Sequence, residues 1–224
     1  MSKDHTKYYN SKGEQVPSVT SVLKLYNKDL DGWANYMGLR GIRLASYLKE
    51  KAELGTYVHS LMEQYFSPDL IMDVHPNTSF ITQSDFVELK SRFRYIEVML
   101  LSMGFESYKT EYQMHGEKYG GTADIIFHNP KTHQYILLDL KTSKSLYATM
   151  YMQLMAYCQL LLELYGVTIS KVAIILITRD MDDPDFLKFY DTNSLFCQRQ
   201  LQIFNQILNI YYLLDDTERK KLLL

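Results

Sequence analysis

Three charged residues on two neighbouring strand-like segments are the strongest candidates for chemistry in this sequence. Residues 122–128 and 134–141 are apolar and β-rich, and a turn-type stretch, Asn-Pro-Lys-Thr-His, separates them. This pattern predicts a β-hairpin. Folding it about the turn places Asp124 opposite Asp139, with Lys141 on the same face. Opposed side chains lie about 4.5–5.5 Å apart at Cβ, where like charges repel.

Two adjacent carboxylates need a cation or a proton to be tolerated. A hard divalent ion with oxygen ligands, Mg²⁺ or Mn²⁺, meets that need, and a lysine two residues further on can hold or help to deprotonate a water. Together these groups are what metal-assisted phosphodiester hydrolysis requires. The alternative is that both aspartates are simply solvated residues on an exposed face of the sheet.

Two helical segments carry polar pairs that could join this site. His59 and Glu63 are four residues apart and share one helical face, so they either bind and orient a metal or form an ordinary structural pair. Gln153 and Tyr157 have the same spacing on the apolar helix predicted over 146–165. Because a buried amide needs hydrogen-bond partners, this pair either bonds the sheet edge or faces the cleft.

The strand predicted over 105–114 carries Glu111, which could approach the carboxylate pair. The strand pattern slightly favours a solvated charge at the sheet edge. Upstream, Ser18 or Thr20 is expected to cap a short helix, with phosphate binding as the alternative. Trp33, the single tryptophan, is expected to be a packing anchor.

The remaining pattern predicts a mixed α/β fold in one domain. Residues 1–82 form an α-helical N-terminal part containing the His59 segment, residues 83–192 form a core, and residues 193–224 form a C-terminal helix and a charged, partly frayed tail. In the N-terminal part, residues 1–16 are expected to be loosely held, a helix is predicted through about residue 51, and a second helix, capped by Thr56, is followed by a loop over 67–81. The core is predicted to contain a helix over 83–103, a buried strand over 171–178 parallel to a hairpin strand, and an edge strand over 185–190. A C-terminal helix is predicted over 193–214.

Composition narrows the functional classes. Hydrophobic residues make up 46% of the chain and charged residues 22%, with a net charge of −2. This excludes a disordered chain and a protein that binds nucleic acid through overall basicity. Cys158 and Cys197 are the only cysteines, so a four-cysteine iron–sulfur cluster is excluded and a reducing cytoplasm is expected. No signal peptide or membrane association is expected.

Four motifs in order resemble the PD-(D/E)XK nuclease superfamily, specifically its RecB-like exonuclease branch. They are GTYVHSLME with His59 and Glu63, GGTAD with Asp124, LLDLKTS with Asp139 and Lys141, and QLMAY with Gln153 and Tyr157. The Ser-Val-Thr…Trp entry before the His59 helix also looks like phage members and the mitochondrial genome maintenance exonucleases. The resemblance covers about residues 16–190. Asp139 stands where many members have Glu.

The resemblance implies a restriction-endonuclease-like core, a central mixed sheet flanked by helices, and the following roles. His59, Asp124, Asp139 and the Leu140 carbonyl would bind Mg²⁺ or Mn²⁺, without an iron–sulfur cluster. Lys141 would activate the attacking water. Glu63 would orient His59 or a water, and Gln153 and Tyr157 would hold the nucleophile or the scissile phosphate.

The activity implied is a metal-dependent DNA exonuclease acting at ends or single strands in recombination, replication or repair, with a recombination protein as a possible partner. Two alternatives stay open: a structure-specific endonuclease on the same core, and a catalytically silent nucleic-acid-binding module. The sequence leaves the oligomeric state undetermined.

Overall fold

A computed structural model describes residues 6–26, 31–67, 81–178, 182–183 and 185–222. The strands are β1 (Tyr8–Tyr9), β2 (Gln15–Val16), β3 (Glu106–His115), β4 (Gly120–Asn129), β5 (Gln134–Lys141), β6 (Ile169–Leu176) and β7 (Leu187–Asp191). The helices are α1 (Val19–Leu23), α2 (Asp31–Leu39), α3 (Leu44–Phe66), α4 (Gln83–Ser102), α5 (Ala148–Tyr165), α6 (Leu195–Leu213) and α7 (Asp216–Leu222).

A five-stranded mixed sheet in the order β3-β4-β5-β6-β7 forms the centre of the molecule. The hairpin β4–β5 is antiparallel, β6 is parallel to β5 across the α5 connection, and β7 closes the sheet antiparallel to β6. The predicted hairpin, the parallel strand and the edge strand are therefore confirmed. The mixed α/β class is confirmed as well.

Helices cover both faces of the sheet because side chains alternate along each strand. One apolar cluster joins α1, α5 and α6 to residues such as Ile126 and Leu137. The other joins α3 and α4 to residues such as Ile125 and Leu138. The hairpin thus has apolar side chains on both faces, and Asp124 and Asp139 lie directly beyond the last β4–β5 pair, Ile125–Leu138.

The helix that carries His59 is longer than the sequence predicts. The prediction of a separate helix capped by Thr56 is wrong, since α3 runs unbroken from Leu44 to Phe66. The Thr56 hydroxyl instead donates to the carbonyl of Ala52, one turn back. A Cβ added at Gly55 would lie 3.6 Å from the Thr142 hydroxyl, an ordinary van der Waals distance, so α3 passes next to the residue that follows β5.

Both ends of the chain are more ordered than expected where the structure describes them. Residues 8–16 form a small hairpin, in which the Asn10 side chain accepts the amides of Lys12 and Glu14. The segment after Asp215 forms α7 rather than a frayed tail. Most of the loop predicted over 67–81 and the side chain of Trp33 lie outside the described residues. Within the described part, no helix combines the length and apolarity needed to cross a bilayer.

Candidate metal and catalytic site

Three carboxylates lie in a row across three neighbouring strands. The ladder between β4 and β5 ends at Ile125 and Leu138, and the next residues in the same register are Asp124 and Asp139. On the other side, β3 pairs with β4 at Thr110–Ile125 and Tyr112–Ala123, so Glu111 faces Asp124. The predicted opposition of the two aspartates is confirmed in register, and β3 adds a third acid.

His59 reaches this row from α3. Its Nδ1 atom lies 3.5 Å from Oε1 of Glu111 and 3.5 Å from Oδ1 of Asp124. Its Nε2 atom lies 3.1 Å from the carbonyl oxygen of Leu140. The imidazole therefore bridges three strands through one carbonyl and two carboxylates, as expected for a member of the predicted cluster.

The main chain of β5 fixes the position of Asp124. Its Oδ2 atom accepts the Leu140 N–H at 2.7 Å, so the carboxylate takes over an amide where the backbone ladder stops. Oδ1 is left facing His59. Leu140 thus contacts the site through both main-chain groups, its N–H on Asp124 and its carbonyl on His59.

Asp139 and Lys141 form a separate pair beside this group. The Lys141 Nζ atom lies 2.5 Å from Oδ2 of Asp139, whose side chain is only 1% exposed. Apart from this ammonium, neither oxygen of Asp139 has a hydrogen-bond partner among the described residues. A buried carboxylate with vacant acceptor positions is costly, so Asp139 has capacity for a further donor or a cation.

Nearby carboxylates raise the pKa of His59 and burial raises the pKa of Asp124, so both groups hold their protons more strongly than usual. Burial lowers the pKa of His59, but the carboxylates of Asp124, Glu111 and Asp139 outweigh it and raise the pKa from 6.5 to about 9. Burial also raises the pKa of Asp124 to about 6, against the lowering effect of His59. In the metal-free protein His59 therefore remains protonated at neutral pH. Its stabilising contribution is complete below pH 6.5 and is lost as the pH rises through about 9.

Lys141 also stays charged. Burial lowers its pKa, but the negative charges of Asp139 and Asp124 more than compensate, so its pKa is raised above the usual value. An ammonium with a raised pKa is suited to holding negative charge and donating hydrogen bonds. It is poorly suited to accepting a proton from water.

Gln153 and Tyr157 face the same end of the sheet from α5. The Gln153 Nε2 atom donates to the Tyr157 hydroxyl at 2.7 Å. Burial and the charges of Asp139 and Asp124 raise the pKa of Tyr157 well above its usual value, so the phenol stays protonated beside the carboxylates. A Cβ added at Gly121 would lie 2.3 Å from the Tyr157 ring, and only glycine allows α5 to approach β4 this closely.

The ligand atoms of His59, Glu111 and Asp124 all lie within 4.8 Å of one another and can hold a metal ion. The predicted set differs in containing Asp139 and the Leu140 carbonyl rather than Glu111. The expectation that Glu111 is a solvated edge charge is wrong, since its side chain is only 21% exposed and lies against His59. Glu111 can be assigned to the site only from the pairing register of β3 and β4, and the spacing of the sequence motifs does not reveal that register.

Two other predicted residues have separate outcomes. Ser18 is the N-cap of α1, and its Oγ atom accepts the Ser21 N–H at 3.0 Å, so the capping interpretation is confirmed for Ser18. Glu63 lies one turn after His59 on α3 and is partly buried. It does not belong to the three-residue metal group, and its orienting role stays a prediction.

No protein-family model matches this chain, and no curated protein matches it. Among solved structures, one match is described as the crystal structure of SSO0001, with 16% sequence identity and a TM-score of 0.25. The match covers 70% of this chain and 86% of that one. At this TM-score the similarity supports no statement about fold or function.

Proposed function

We propose that this protein is a metal-dependent deoxyribonuclease that hydrolyses phosphodiester bonds. The observation that carries the proposal is the convergence of Glu111, Asp124 and Asp139 on three adjacent strands, with His59 and Lys141 as their nearest cations. Three acids held this closely are tolerated in a folded protein only with compensating positive charge. A divalent cation supplies that charge and the Lewis acidity that phosphodiester hydrolysis needs.

The residues fit a hard or borderline divalent ion. The donors are carboxylate oxygens, one imidazole and the Leu140 carbonyl, a set suited to Mg²⁺ and, through the imidazole, to Mn²⁺. Apart from the Lys141 ammonium, the oxygens of buried Asp139 have no hydrogen-bond partner among the described residues, which leaves them free to accept from a donor or bind a cation. Accordingly, His59, Glu111 and Asp124 would hold the ion. The motif resemblance adds Asp139 and the Leu140 carbonyl as further ligands.

The remaining residues have roles that follow from the charges and hydrogen-bond donors that they carry. A bound ion would polarise a phosphoryl oxygen and acidify water. Lys141, held as an ammonium by Asp139, would stabilise negative charge on the phosphate in the transition state. Gln153 and the protonated Tyr157 would donate hydrogen bonds that position the phosphate or the water. Glu63 would orient His59 from the same helix.

The motif order and this arrangement together favour a PD-(D/E)XK nuclease of the RecB-like branch, with a restriction-endonuclease-like core. Exonuclease action on DNA ends or single strands is the activity we propose. Such an enzyme would produce 5′-phosphates and 3′-hydroxyls. A structure-specific endonuclease is the alternative, and substrate topology separates the two.

The test is digestion of end-labelled single- and double-stranded DNA with Mg²⁺ or Mn²⁺, following product length over time. We expect cleavage that EDTA abolishes and that Asp139→Asn and Glu111→Gln strongly reduce. Glu106→Gln, an exposed glutamate on the same strand as Glu111, is the matched control and should retain activity. Cleavage that persists in EDTA or in Asp139→Asn would overturn the proposal. Cutting of covalently closed circular DNA would identify an endonuclease instead.

A further inference from the structure

Two cavities approach the candidate site from the side of α1. The larger, about 920 Å³, extends from Glu111 past the Ser18–Ser21 turn towards Lys7 and Tyr212. The smaller, about 260 Å³, includes Lys141 and Gln153 in its lining. Thr20 and Lys24 line both cavities, so these two residues form a wall that the cavities share. Glu111 lies in the cavity on one side of this wall, and Lys141 lies in the cavity on the other side.

This wall is fixed to the catalytic sheet. The Gly120 N–H donates to the carbonyl of Pro17 at 2.9 Å, and Ser18 pairs with Gly120 as an isolated parallel bridge. Gly120 begins β4, four residues before Asp124. The Ser18 cap then starts α1, which carries Thr20, and Lys24 follows directly after it. The distance from this wall to the site therefore depends on backbone contacts rather than on a flexible loop.

The wall has the chemistry of a phosphate site. Lys24 is exposed, and its ammonium forms no ion pair with the described part of the chain. The Thr20 hydroxyl lies 2.9 Å from Ser18 Oγ, in a small cluster of hydroxyl groups beside it. Lys24 and Lys141 line the same cavity, which suits two neighbouring phosphates of one strand. The exposed ring of Tyr212, further along the larger cavity, offers a surface on which a base can stack.

Burial of the catalytic groups favours a single strand over a duplex. The Asp139 side chain is 1% exposed and that of Asp124 is 9% exposed, so a scissile phosphate must enter a recess. A rigid duplex cannot bend one backbone into a recess without distortion, whereas a single strand can.

We propose that the two cavities form one channel for single-stranded DNA, in which Lys24 and Thr20 bind the phosphate next to the one held at Lys141. This inference rests on the proposed nuclease function, since it assigns the substrate class and path for that site. It adds residues outside the four motifs.

The test measures binding by fluorescence anisotropy in EDTA, using fluorescein-labelled oligothymidylate and a duplex of equal length. Loss of one phosphate contact on a single strand reduces the slope of log K against log salt by about 0.7, which is about fivefold in affinity at 0.1 M salt. We expect this change for Lys24→Gln and a smaller loss for Thr20→Val. Lys90→Gln, an exposed lysine on α4 outside both cavities, is the control and should bind as the unmodified chain does.

Equal affinity and slope for Lys24→Gln and Lys90→Gln would overturn the proposal, as would tighter binding of the duplex. Different results would contradict the nuclease proposal and the channel proposal. If Asp139→Asn still cleaves DNA, the catalytic assignment fails, while the effect of Lys24 on binding is measured without cleavage. Circular dichroism of Lys24→Gln verifies the fold, which an exposed side chain should not alter.

Discussion

Replacing Lys141 with methionine tests whether Asp139 is a buried charge that depends on one neighbour. Methionine retains most of the lysine stem but removes the ammonium that lies 2.5 Å from Asp139. In the described part of the chain, no other ion pair involves this carboxylate. The substitution therefore leaves a carboxylate with 1% exposure and no ion-pair partner among the described residues.

Breaking a buried ion pair by removing one partner costs about 3–5 kcal/mol. The Lys141 side chain is 22% exposed, so water can partly replace it, and we expect the lower end, about 3 kcal/mol, in metal-free protein at alkaline pH. Saturating Mn²⁺ should restore stability, since an ion at one hundred times its Kd contributes about 2.7 kcal/mol.

Urea unfolding in EDTA measures these differences. The matched control is Lys188→Met, which breaks an exposed pair with Asp185 in which the side chains are 48% and 37% exposed. This control should change stability by less than about 1 kcal/mol. The double variant Lys141→Met with Asp139→Asn should be more stable than Lys141→Met alone. If Lys141→Met unfolds at the same urea concentration as the unmodified chain at alkaline pH, Asp139 is solvated and the reasoning fails.

Three further substitutions test other parts of the site. In EDTA the free energy of unfolding should fall between about pH 6.5 and about pH 9, because His59 loses its proton in that range. The fall should be smaller in His59→Gln. An equal fall in both proteins would contradict the raised pKa of His59. Gly121→Ala puts a methyl group 2.3 Å from the Tyr157 ring and should cost about 1–3 kcal/mol in thermal or urea unfolding. Gly38→Ala, with open space around it, should not destabilise, and similar losses in both would argue against the close packing. Above about pH 9, where His59 has lost its proton, Glu111→Gly should stabilise metal-free protein by about 1 kcal/mol by relieving a left-handed φ. It should also weaken Mn²⁺ binding in calorimetry, and unchanged binding would exclude Glu111 as a ligand.

The β4–β5 hairpin was predictable because residues close together in the sequence determine it. A turn sequence fixes the register, and side-chain alternation then places Asp124, Asp139 and Lys141 relative to one another. The parallel strand after α5 follows from a continuous apolar run and the usual β-α-β connection. His59 was placed by its motif, although its contacts depend on how α3 packs on the sheet.

The continuity of α3 and the order of the chain ends were not predictable from local pattern. Gly55 and Thr56 resemble a helix start, but packing of the apolar face against the sheet outweighs the cost of an interior glycine, about 1 kcal/mol. The β1–β2 hairpin forms because the Tyr8 ring fills the space over Gly120, a contact between residues more than a hundred positions apart. Local secondary-structure propensity cannot predict contacts between residues this far apart in the sequence.

Glu111 shows why the sequence analysis favoured the wrong environment for one candidate site residue. Its φ is +44°, a left-handed conformation that a residue with a side chain rarely adopts, and it sits in the middle of β3. The same backbone position faces Asp124, where a third carboxylate adds repulsion. Glycine would relieve both costs in the metal-free protein, and a neutral side chain would relieve the repulsion alone. A glutamate that violates two local rules and contacts His59 is therefore explained better by a bound cation than by stability of the fold.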